Sequence, residues 1–176
     1  MTDIIIPAIA DDGTLFPIEK LEAHKKGQFH LAISVFVFSP DGKLLIQRRA
    51  DGKYHCGGLW ANTCCSHPHW EEDIAACAHR RLQEELGFSL PLRAIGQVDY
   101  RADVGNGLIE HERVHMFAGE AEPATLSPVL DPEEVAELRW VDLADLRREL
   151  AEKPENFTPW FSLYIERWSD LWAPAA

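Results

Sequence analysis

The sequence predicts an α+β domain with a mixed β-sheet packed between helices. Three observations lead there. The β-branched and aromatic run FHLAISVFVF (29–38) is followed, after the turn Ser39-Pro40-Asp41-Gly42, by KLLIQRR (43–49), which reads as a hairpin. Residues 71–87, EEDIAACAHRRLQEELG, carry helical spacing. Beyond them, strands and helices follow in the order strands, helix, helix.

Taken in order, residues 15–24 (LFPIEKLEAH) read as a short lead-in of one helical turn. Residues 50–70 are rich in Gly, Cys, His and Trp and fit neither period, so they read as a long ordered loop. In 71–87, Ile74, Ala78, Leu82 and Leu86 share one face, and Gly87 is the C-terminal stop. Residues 94–101 and 107–118 read as strands, with Gly105-Asn106-Gly107 in the turn between them. ELRWVDL (137–143) reads as another strand and leads into a helix near 143–151. Thr158 then caps a final amphipathic helix with Pro159 in its first position. No repeat, low-complexity tract or linker divides the chain. Residues 1–176 therefore read as one domain, with 1–14 a flexible lead-in.

Composition narrows the function classes. Of 176 residues, 46% are apolar and 26% charged, an ordinary globular balance. No apolar run reaches about 18 residues, so no membrane span is expected. Met1 to Pro7 lacks the basic lead and cleavage pattern of a signal peptide. A net charge of −12 argues against nucleic acid or an anionic membrane as partner. An anionic small molecule would need cations and placed Lys or Arg residues to reverse the field locally. Cys56, Cys64, Cys65 and Cys77 form no CxxC pattern and read as free thiols in a reducing cytoplasm.

The 71–87 helix carries the most specific pattern. From Ser66, five residues lead to Glu72 and seven more to Arg80-Arg81-Leu82-Gln83-Glu84-Glu85-Leu86-Gly87-Phe88. This resembles the Nudix box of diphosphate-processing enzymes, whose usual form has Gly at Ser66 and Arg-Glu at Arg80-Arg81. Clustered carboxylates on one helix can hold the divalent cations that a diphosphate needs. Arg81 can bind a phosphate oxygen but neither Mg2+ nor a proton. The substitution points to diphosphate binding kept and hydrolysis lost.

In GLIEHERVHMF, Glu110 and Glu112 alternate with His111 and so share one strand face. Two carboxylates on one face call for a positive neighbour: a Lys or Arg across the strand, or a metal. Of the eight His, His30 opens a strand and His67 sits two residues after Cys65.

Six segments resemble type I isopentenyl diphosphate isomerases: PIEKLEAH (17–24), FHLAIS (29–34), GLWANTCCSHP (58–68), the altered box, VDYRADVGNGLIEHE (98–112) and FTPWF (157–161). The resemblance covers about residues 15–165 and implies a Nudix-like α/β/α sandwich. It implies a metal site of His24, His30, His67, Glu110 and Glu112, holding Mn2+, Mg2+ or Zn2+. It implies Mg2+ on the diphosphate, held partly by Glu85, with Lys20, Arg49, Lys53 and Arg81 contacting the diphosphate. Catalysis falls to Cys65 and Glu112, with Tyr100 assisting Glu112 and Trp160 over the cationic intermediate. A small allylic or homoallylic diphosphate is then the partner, for a monomer or weak homodimer. The rivals are a Nudix diphosphate hydrolase, a non-catalytic binding module, and a flavin-dependent isomerase, for which no dinucleotide fingerprint exists.

Overall fold

The computed structural model describes residues 3–174. Strand β3 (His30–Phe38) is buried at every position, as its apolar composition requires. Along one edge it pairs in parallel with β8 (Leu108–Glu120), from His30↔Glu112 to Phe38↔Glu120. Its other edge is shared in turn by three antiparallel partners. Ala8 of β1 (Ile5–Ile9) meets His30, β6 (Cys64–Ser66) meets Ile33–Val35, and β4 (Leu44–Arg49) meets Val37 and Phe38.

Strands β2 (Leu15–Glu19), β5 (Trp60–Ala61), β7 (Arg93–Gly105) and β9 (Val135–Val141) complete a nine-stranded mixed sheet. Helix α2 (Ile74–Leu86) covers one face through Cys77, Ala78, Leu82 and Leu86, packed on Ile33, Val35 and Val37. On the other face, Phe36, Ile46 and Met116 pack with residues of α3 (Leu143–Glu152), α4 (Pro159–Arg167) and α5 (Ser169–Trp172). The result is the expected α/β/α sandwich.

Several expectations change. The lead-in is structured: Ile5–Ile9 and Leu15–Glu19 form a hairpin of their own, and Ile6 is fully buried. Met1 and Thr2 lie outside the described residues. Residues 20–26 make a two-turn helix, α1, capped by Glu19 and ended by Gly27 in the left-handed region. The expected hairpin of 29–38 with 43–49 holds only at Val37↔Leu45 and Phe38↔Leu44, because farther on β6 takes the edge of β3 and β5 takes the edge of β4. The 50–70 loop contains β5 and β6, too short to show a period. Helix α2 begins at Ile74, where Asp73 caps the Ala76 N–H. The last helix is interrupted at Trp168.

Candidate active site

Sheet register brings distant residues together. His30, Glu112 and Tyr100 are direct neighbours across β3, β8 and β7. Glu110, two residues along, shares the buried face of β8 with Glu112. His67 follows β6 immediately, and His24 lies on the buried side of α1. One ligand atom from each of His24, His30, His67, Glu110 and Glu112 lies within 4.8 Å of all the others.

These five residues fit a divalent ion. The Nδ1–H groups of His24 and His30 donate to the carbonyls of Lys20 (2.6 Å) and Gln28 (2.7 Å). That fixes the tautomer and leaves each Nε2 lone pair turned inward. Among the described residues, His24 Nε2 and Glu110 Oε2 are buried without a hydrogen-bond partner. Buried polar atoms are seldom left so, and an ion would satisfy both. His67 Nε2 lies 2.7 Å from Glu112 Oε1 and 3.2 Å from His30 Nε2.

Charge is distributed to match. Burial favours neutral Glu112, but contacts with Glu110 and His30 outweigh it and hold its pKa down at about 2. Burial, with His30 and His24 alongside, holds His67 well below the ordinary value. Burial also disfavours charge on His24, yet the adjacent Glu110 overcomes this and raises its pKa.

Cys65 lies on the opposite edge of β3 from Glu112, beside Ser34. Its S–H donates to Asn62 Oδ1 at 2.8 Å. Asn62 cannot turn away, since its Nδ2 donates to the carbonyls of Val35 and Cys64. Ser34 Oγ donates to Cys65 Sγ at 3.5 Å and lies 3.0 Å from the Tyr164 hydroxyl. Burial pushes the Cys65 thiol up to about 12, against the pull of Ser34. On the Glu112 side, the Tyr100 hydroxyl donates to Glu112 Oε2 at 2.8 Å.

One cavity joins these groups. Its lining includes Cys65, Tyr100, Glu112 and Trp160, and also Lys20, Arg49, Lys53 and Arg81. Arg81 is bracketed by carboxylates: Glu84 at 2.6 Å, Glu85 at 2.8 Å and Glu134 at 3.2 Å. A guanidinium thus stands where a box carboxylate would help hold metal. Glu134 also pairs with Lys53 at 2.5 Å. Gln47 Nε2 donates to Glu85 Oε2 at 3.1 Å, which orients that carboxylate on the helix.

The NUDIX domain model matches residues 28–161. An isopentenyl-diphosphate Delta-isomerase of Rhodobacter capsulatus is 55% identical over 99% of this chain and 98% of its own length. One from Cereibacter sphaeroides is 59% identical over 92% of this chain and 90% of its own. The chain belongs to the isopentenyl-diphosphate Delta-isomerase family, within the NUDIX fold. Solved structures agree on the fold. A MutT NUDIX hydrolase from Burkholderia pseudomallei matches with a TM-score of 0.61 at 23% identity, covering 80% of this chain and 98% of its own. DR0079 from Deinococcus radiodurans matches with a TM-score of 0.71 at 15% identity, covering 93% and 98%.

Every residue that the sequence singled out for this isomerase-family site lies in the cavity wall or the His/Glu group. Trp160 has a neighbour that the sequence did not reveal: the Arg49 guanidinium sits 5.2 Å from its ring centroid. Asn62, Ser34, Tyr164, Glu134 and His55 were also missed. Only the ANT of GLWANTCCSHP could have flagged Asn62. The other four meet the site through the sheet (Ser34), helix α4 (Tyr164) or a loop (His55 and Glu134), which no local spacing records.

Proposed function

We propose that the chain interconverts isopentenyl and dimethylallyl diphosphate, a step of isoprenoid biosynthesis, by adding one proton and removing another. The observation that carries this is the single cavity with two proton-handling groups and a cluster of four cations. Lys20, Arg49, Lys53 and Arg81 bind and orient the diphosphate, which fixes the five-carbon end against Cys65 and Glu112. Glu85 would help hold Mg2+ on the diphosphate, which would supply further positive charge where the net charge of −12 cannot. His24, His30, His67, Glu110 and Glu112 would hold a second divalent ion, Mn2+, Mg2+ or Zn2+, which would fix Glu112 and tune its acidity.

Protonation of the terminal carbon gives a tertiary cation at C3. Loss of a proton from C2 then leaves the internal double bond. Trp160 shelters the cation without attacking it. The family resemblance makes Glu112, assisted by Tyr100, the group that protonates the terminal carbon, and the Cys65 thiolate the base that takes the proton from C2. The hydrogen bonds favour the opposite polarity in this direction: Cys65 is a donor, to Asn62, while Glu112 accepts from Tyr100. The reaction is reversible, and the two groups exchange roles in either case.

Against the hydrolase reading stands Arg81, a cation where that chemistry needs a metal-holding carboxylate. Incubation with isopentenyl diphosphate and Mg2+ in deuterated buffer tests the proposal. Deuterium is expected in the product methyl group. Full conversion without it rejects the mechanism, and phosphate release without isomerisation supports the hydrolase.

A further inference from the structure

His55 has no part in the chemistry above, yet it is 4% exposed and sits against the metal group. Its Nε2 lies 3.0 Å from Glu110 Oε1, closer than His24 Nε2 at 3.4 Å. The ring is held by edge contacts, with centroids 4.4 Å from Tyr54 and 5.8 Å from Trp160. His55 is outside the group of five mutually close ligand atoms. Glu110 therefore has one oxygen engaged from outside that group. Its other oxygen, Oε2, is buried and unpartnered among the described residues. The last torsion of a glutamate is soft, so an oxygen held on one side decides where the other points.

We propose that His55 is a positioning residue for the divalent-metal site, holding Glu110 Oε1 so that Oε2 is presented to the ion. This rests on the metal reading above. Outer partners of this kind set ligand orientation and, when removed, weaken metal binding by about 10- to 100-fold. The same ring also leans on Trp160. His55 thus ties the orientation of a metal ligand to the aromatic wall of the cavity.

The test compares the parent chain with His55→Gln and His55→Phe, each stripped of metal and titrated with Mn2+ alone, free Mn2+ being followed by electron paramagnetic resonance. Gln can place an amide N–H near the position of Nε2, whereas Phe keeps the bulk and loses the donor. His55→Phe is expected to bind Mn2+ at least about tenfold more weakly, and His55→Gln to recover most of the loss. Bound Mn2+ in the parent should show three histidine nitrogens. Equal affinity in parent and Phe variant, or a Gln variant as weak as Phe, overturns the role. Four coupled nitrogens would make His55 a ligand and overturn it as well. A parent that binds no Mn2+ overturns the metal reading itself, a failure separate from that of the variants.

Discussion

At the residue scale, two side chains carry most of the chemical meaning. Cys65 is a half-buried thiol whose proton is directed at Asn62, with its pKa pushed up to about 12. Alkylation of Cys65 by iodoacetamide, followed by mass spectrometry, should accordingly be slow at neutral pH and rise by about tenfold per pH unit. A fast, pH-independent rate near pH 7 would show a resting thiolate and remove the support for Cys65 as first donor. Arg81 is the other. Its guanidinium is shared among Glu84, Glu85 and Glu134. Arg81→Glu should raise the KM for isopentenyl diphosphate by about tenfold or more, since a charged hydrogen bond contributes roughly 1.5–3 kcal/mol. It should also make phosphate release measurable with Mg2+. Unchanged KM and no phosphate release would reject the role given to Arg81. The sequence showed Arg81 because a spaced motif made the exception visible. It could not show His55 or Glu134, whose neighbours lie 55 and 81 residues away.

Among elements, legibility followed length and period. Helix α2 was plain because Ala78, Leu82 and Leu86 repeat every four residues and stay buried. The pairing of β3 with β8 was not, because parallel neighbours need no linking turn. Strands β5 and β6 have two and three residues, too few for alternation to appear. The β1–β2 hairpin hid behind prolines, Pro7 and Pro17, which face each other in its register and demote a strand by sequence. Leu82 anchors α2 on β3 and is fully buried beside Arg81. Leu82→Ala should lower stability by about 2–5 kcal/mol in chemical denaturation. A loss under about 1 kcal/mol would mean that α2 is held by its polar contacts instead.

For the whole molecule, metal and protons compete for one set of groups. Without metal, His67 and His55 have lowered pKa values, through burial above all. The unfolded chain takes up protons near pH 6.5 that these two refuse when folded, so they cost stability as pH falls below that value. His24, with a raised pKa, acts in the opposite sense, and its contribution is lost as pH rises. Glu112 adds a second loss, between its unfolded value of 4.5 and about 2. Thermal melts of the metal-free chain should therefore fall on acidification below about pH 6.5. Added Mn2+ should raise Tm near pH 7, by about 2.7 kcal/mol of stability at a hundred times its Kd, and lose this effect in acid. A melting temperature indifferent to Mn2+ would count against a resident ion in the His/Glu group. Scale also changes the meaning of Glu134, which holds Lys53 and Arg81 in the free chain. The cation cluster is already occupied by an anion of the protein's own. Substrate entry is then an exchange of partners rather than the filling of a positive hole. A singly charged anion gains little by displacing a carboxylate, while a diphosphate with its Mg2+ offers several oxygens for one. Discrimination against small stray anions thus begins with a residue of the same sign as the ligand it admits.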